Sequence, residues 1–119
     1  MNGFLVYIFV YKIFIVMNRI ERIQEMLKAS PHDNFLRHAL ALEFIKAGDD
    51  ATARDLFEQI LKEDEGYIGS YYHLGKLLER NREAKLAIEW YEKGMNAAKH
   101  ANDNHAYNEL QSAYEDLVY

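Results

Sequence analysis

Residues 34–67 read NFLRHALALEFIKAGDDATARDLFEQILKEDEGY, and residues 68–101 read IGSYYHLGKLLERNREAKLAIEWYEKGMNAAKHA. Laid one over the other without a gap, the two segments agree in residue class at the points that decide the fold. Leu40 falls on Leu74, Ala41 on Gly75, Ala53 on Ala87, Leu56 on Trp90 and Phe57 on Tyr91, every pair separated by 34 positions. A fixed offset that returns large residues to large ones and small to small marks one structural unit used twice. Each unit holds two apolar stripes at helical spacing. Ala41 with Ala53, and Gly75 with Ala87, would let the two helices of a unit approach closely, while Leu40, Phe57, Leu74 and Tyr91 fill the grooves beside them.

The helical spacing continues on both sides of this core. Ile20, Ile23 and Leu27 form a stripe ahead of it; Ala106, Leu110, Ala113, Tyr114 and Leu117 form one behind it. Between them lie Leu36, Ala39, Leu40, Leu42 and Phe44; then Ala53, Leu56, Phe57, Ile60 and Leu61. Tyr71, Leu74, Leu77 and Leu78 make the fourth stripe, and Ala84, Ala87, Ile88, Trp90, Tyr91 and Met95 the fifth. The breaks carry turn chemistry. Pro31 follows the first helix, Asp33 can cap the second, Gly48 can take the left-handed conformation, and Asp49 or Asp50 can cap the third. Gly66, Asn81 and Asn102–Asp103–Asn104 mark the remaining stops. The reading is an all-α, antiparallel helix-turn-helix array of six helices, each about 12–17 residues long.

A period of 34 with two helices per unit resembles the tetratricopeptide repeat. The order large, small, aromatic and then small, aromatic stands as Leu40–Ala41–Phe44 with Ala53–Phe57. It returns as Leu74–Gly75–Leu78 with Ala87–Tyr91. Tyr71 sits where this family favours Trp, and Pro31 where it favours the closing Pro. The resemblance covers two full units, 34–67 and 68–101, with Ile20–Pro31 as the second helix of a preceding half-unit and a capping helix at about 104–118. Arg37 stands in the Trp position of the first unit, Glu65 in the closing Pro position and Arg82 in the turn Gly position. Asn81 is expected to supply the left-handed residue at that turn. Gly94 lies in mid-helix, where close passage of the final helix would account for it.

The resemblance implies an interaction module whose first helices line a concave, peptide-holding groove. Carried over by position, the groove set is Phe35, His38, Leu42, Ile45 and Lys46 from the first unit, and Gly69, Tyr72, Lys76, Glu79 and Arg80 from the second. Tyr72 beside Lys76 could grip a peptide through stacking and charge. Some members of the family clamp a terminal carboxylate with Lys and Asn; the corresponding places here hold His38, Leu42, His73 and Lys76, so that type of tail is not expected. The expected function is a non-enzymatic adaptor for a peptide or protein partner. The alternatives are a self-associating unit, as a homodimer using Tyr107, Tyr114 and Tyr119, and a membrane-tethered scaffold.

Composition narrows the field in the same direction. The chain has 119 residues, 50% of them hydrophobic and 28% charged, which suits one domain with a real core. It has no Cys, so disulfides, thiolate metal sites and thiol nucleophiles are excluded. A net charge of −5 argues against nucleic acid as a partner. There is no phosphate loop, nucleophile elbow or paired-histidine motif. His100 and His105 read as solvated surface, His32 as part of a turn, and Glu63–Asp64–Glu65 as a solvated corner. No cofactor and no metal are expected, and the expected location is the cytoplasm.

Met1–Met17 obeys other rules. Only Asn2, Gly3 and Lys12 interrupt its apolar residues. As a helix, Phe4–Met17 would reach about 21 Å, short of a hydrocarbon core of about 30 Å. It has neither the positive start nor the small-residue cleavage site of a secretory signal. Three readings follow: an extension ahead of synthesis that begins at Met17, a membrane-associating segment, or a segment packed on the protein's own apolar surface. The first is the expected one, with residues 18–119 as the working domain and membrane contact only if residues 1–17 are present.

Overall fold

The computed structural model describes residues 2–119. Six α-helices follow in order among them: α1 (Gly3–Ala29), α2 (Asn34–Lys46), α3 (Asp50–Glu63), α4 (Gly69–Arg80), α5 (Ala84–His100) and α6 (Asn104–Val118). The all-α expectation therefore holds, and the second to sixth helices begin and end at the turn residues read from the sequence. The first does not. It starts at Gly3 and runs unbroken through Met17 for 27 residues, because the apolar run and the amphipathic segment after it are both helical in spacing. The chain divides into two compact units, Met1–Leu56 and Phe57–Tyr119.

In the first unit α1 folds back on α2 through the short loop at 30–33. Half-buried side chains of α1 fall at Ile13, Val16, Ile20, Ile23 and Leu27, at steps of three and four that keep one face on the partner, with Ile15 half-buried beside them. On α2, Leu40 and Ala41 are buried. Buried beside them are two charged side chains that touch polar partners. Arg37 donates from Nη2 to Asn34 Oδ1 at 2.7 Å and to the His32 carbonyl at 3.3 Å. Glu43 presents Oε1 to Lys46 Nζ at 3.3 Å and to Arg19 Nη1 at 3.8 Å.

In the second unit α5 lies against both α4 and α6, and α4 also touches α6. Leu74, Leu77, Leu78, Tyr91, Ala98 and Leu110 form the core together with Phe57 and Ile60 from α3. Two glycines let the helices meet. A Cβ built on Gly75 would lie 2.1 Å from Cε1 of Tyr91, so the α4 backbone rests directly on that ring. A Cβ on Gly94 would lie 2.7 Å from Cβ of Tyr71 and 3.0 Å from Cδ1 of Leu110. Gly94 is thus crowded by α4 as much as by the final helix. In the fifth stripe Ala87 and Tyr91 are fully buried, Ala84 is exposed at the helix start, and Ile88, Trp90 and Met95 are only half-buried.

The same turn is made three times. Gly48, Arg82 and Asn102 have φ of +83°, +64° and +55°. After each, the next amide donates to a carbonyl five residues back: Asp49 to Phe44, Glu83 to Leu78 and Asp103 to Ala98, all at 2.9 Å. The left-handed residues donate to Ile45, Glu79 and Lys99. This is the Schellman arrangement, which satisfies the last carbonyls of a helix. At the second turn the left-handed residue is Arg82 and not Asn81, whose φ is −94°. The backbone pattern fixes which position must be left-handed, and there it overrides the side chain's preference. Asn81 instead donates from Nδ2 to the Leu77 carbonyl at 2.8 Å. After two of the turns the following residue caps the next helix: Asp49 Oδ1 accepts from Thr52 N at 3.1 Å, and Asp103 Oδ1 from Ala106 N at 3.0 Å. Glu83, in the matching place, makes no such cap.

Candidate functional site

The residues assigned to the groove lie on α2 in the first unit and α4 in the second. On α2, Phe35, His38, Leu42 and Ile45 recur at steps of three and four and so share one face. Phe35 stands 72% exposed, so it is not tucked beneath α1. His38, Leu42 and Ile45 are half-buried, and Lys46 is exposed with its ammonium turned to Glu43.

On α4 the structure joins several of the assigned residues into one cluster. Lys76 Nζ lies 5.7 Å from the centre of the Tyr72 ring and 3.5 Å from Glu79 Oε2. The same carboxylate oxygen accepts a short hydrogen bond from the buried Tyr91 hydroxyl. His73 stands edge-on to Tyr72 with ring centres 5.7 Å apart and stacks on Phe57 at 6.2 Å. Gly69 and Arg80 are exposed at the two ends of the helix.

The surroundings set the charge states. Burial pushes the His73 imidazole below its ordinary value, and Glu109 on α6 opposes this with its negative charge. Burial raises the Tyr91 phenol strongly, reinforced by the Glu79 hydrogen bond and charge and by Tyr72 and Asp116. Tyr91 therefore remains a neutral donor that holds Glu79 in place, and Glu79 in turn holds Lys76 beside Tyr72. The arrangement offers an aromatic face, a cation and a half-buried carboxylate, which suit stacking and ion pairing with another chain. No three His, Asp or Glu side chains come together as metal ligands would among the described residues.

Sequence reasoning missed a cleft of about 770 Å³ in the second unit, lined by Tyr71, Trp90, Lys93, Asn96 and His100 with Glu58 and Leu61 of α3 among others. Lys93 Nζ lies 4.5 Å over the Trp90 ring. The signal was present in the sequence: a Trp three residues ahead of a Lys, matched to the smaller Leu56 in the first unit. The first unit has a smaller cleft of about 400 Å³ between Ile13, Val16, Met17 and Ile20 of α1 and Phe44 and Ala47.

Tyr71 and Arg37, which occupy equivalent positions in the two units, do one job with different chemistry. Tyr71 Oη donates to the Glu65 carbonyl at 2.6 Å, as Arg37 donates to that of His32, so each ties its helix to the preceding loop. Burial and the nearby Glu65 and Asp64 charges raise the Tyr71 phenol, which keeps it a donor.

No protein-family model matches the chain, and no curated protein does. Solved structures do. The crystal structure of a tetratricopeptide repeat domain protein from Salinibacter ruber is 39% identical, with a TM-score of 0.69, over 71% of this chain and 94% of that one. A solution NMR structure described in the same terms, also from Salinibacter ruber, is 39% identical, with a TM-score of 0.71, over 73% of this chain and 88% of that one. With its 34-residue duplication, its six helices and this likeness over nearly the whole of a known member, the chain belongs to the tetratricopeptide repeat family.

Proposed function

We propose that the protein is a non-enzymatic adaptor that holds a peptide segment or a partner protein against the first helices of its two repeats, α2 and α4. The observation that carries this reading is the Tyr72–Lys76–Glu79 cluster, held in place by Tyr91 and open to solvent at Tyr72 and Lys76. Phe35, at the start of the matching helix of the first repeat, supports it as a large ring left in water. Membership of a family of interaction modules supports the general class. His38, Leu42 and His73 stand where a terminal-carboxylate clamp would need Lys or Asn, so the adaptor takes an internal segment by stacking, apolar contact and single ion pairs. A two-repeat surface buries about 1,000–1,200 Å², the range of weak, transient complexes.

The test compares partner capture from the native host by the wild type, Tyr72→Ala and Leu42→Lys, each first shown by circular dichroism to keep its helix content. Both substitutions should reduce capture. Undiminished capture by both variants would remove α2 and α4 as the binding surface.

A further inference from the structure

The half of α1 that runs ahead of α2 bears large apolar side chains that the rest of the chain does not cover. Phe4, Leu5, Val6 and Tyr7 are 66%, 56%, 43% and 68% exposed. Successive residues of an α-helix are set about 100° apart, so these four leave no side of the helix polar. Phe9, Val10 and Phe14 continue the same condition.

The angular distribution distinguishes the occupants. A partner helix, or a second copy of this chain, covers a stripe, about two positions in seven along a coiled-coil seam, and leaves the other faces in water. An apolar solvent covers them all. The contrast stands within one helix. From Ile20 on, the half-buried residues Ile20, Ile23 and Leu27 keep to one face, while Arg19, Glu21, Arg22 and Glu25 are exposed on the others, the pattern of a helix half in water. The pattern changes while the helix continues. Lys12 is the one charged residue before Arg19, and its long stem can carry the ammonium toward a headgroup. Arg19 and Arg22 follow where the helix turns amphipathic. By length and composition α1 also suffices to cross a membrane.

We propose that the start of α1, from Phe4 to Tyr11, buries itself in the hydrocarbon of a lipid bilayer, and that the unbroken helix then carries the first unit at the membrane surface. This is independent of the adaptor reading: it concerns where the protein works and not what α2 and α4 hold.

The test is flotation of the full-length protein with phosphatidylcholine vesicles, with and without phosphatidylglycerol. The wild type should float with both, and the double variant Phe9→Asp, Val10→Asp should stay in the dense fraction with its helix content retained. Depth is read separately. The chain has a single Trp, so Trp90→Phe combined with Phe9→Trp places the only indole on the segment. Its fluorescence should be quenched by vesicles with brominated acyl chains. Any of four results would overturn the proposal: wild type left in the dense fraction, equal flotation of the double variant, an unquenched indole, or a discrete lipid-free oligomer that vesicles do not take up. An intact mass of the protein from its native host that begins at Met17 would overturn it as well.

Discussion

Replacing Gly75 by Ala adds one methyl group where α4 rests on the Tyr91 ring. The new Cβ would sit 2.1, 2.5 and 2.7 Å from Cε1, Cζ and Cδ1, against 3.4–4 Å for ordinary contact, so ring and helix must separate by more than 1 Å. The ring has little room to yield, because Tyr91 is 0% exposed and its hydroxyl is held by Glu79. Overpacking of a core costs about 1–3 kcal/mol, and this geometry belongs at the upper end. Ala in a helix interior returns about 1 kcal/mol relative to Gly. The net loss is then about 2 kcal/mol, or about 8 °C in Tm for a chain of this length. Urea unfolding followed by circular dichroism measures it. Repeating the substitution on Tyr91→Leu, which removes the ring, should recover at least 0.5 kcal/mol, roughly the smallest coupling expected for residues in contact. A Gly75→Ala variant as stable as the wild type or more so would show that helix propensity alone governs the site and would refute the close approach.

Arg82→Gly should raise stability by about 1 kcal/mol, since φ of +64° strains a side chain and suits Gly; no shift in the urea midpoint would count against that strain. Glu83→Asp should add about 0.5–1 kcal/mol by supplying the cap that Asp49 and Asp103 already make, and Asp49→Ala should lose about 1 kcal/mol. Equal midpoints for either variant and the wild type would argue against it. His73 sets a pH dependence. Its folded value lies below the unfolded one of about 6.5, so its contribution is complete above that pH and falls away as acid protonates the unfolded chain first. The wild type should therefore lose stability between about pH 7 and 5 more steeply than His73→Gln, which keeps Phe57, Tyr72 and Glu109 around that position. Parallel curves would dismiss the imidazole as the source.

The 34-residue offset carried the architecture because it rests on volume, and volume is visible in residue names: Ala41, Gly75, Ala53 and Ala87 are all buried. Caps were legible for a similar reason, since Asp33 and Asp49 act on amides three residues on; Asp103, read only as part of a stop, caps α6 in the same way. The second turn misled because Asn is the usual non-glycine choice for a left-handed residue, whereas the position was settled by hydrogen bonds reaching back five residues. The Trp90 cleft was hidden because helical spacing cannot tell a core position from the edge of a groove. The roles of Arg37 and Tyr71 lay in where their tips end, and no periodicity reports that. For the assigned groove residues, the sequence named the helix face, and the structure adds the bonds that link Lys76, Glu79 and Tyr91 on α4.

The thrice-made turn has a consequence for how such a chain can lengthen. Its closure rests on main-chain atoms plus a single left-handed residue, a role filled here by Gly, Arg and Asn alike. A joint so indifferent to side-chain identity tolerates being cut and copied. Duplicating residues 68–101 in place would present the downstream helix with the same junction it already meets, so growth by whole modules disturbs no existing seam.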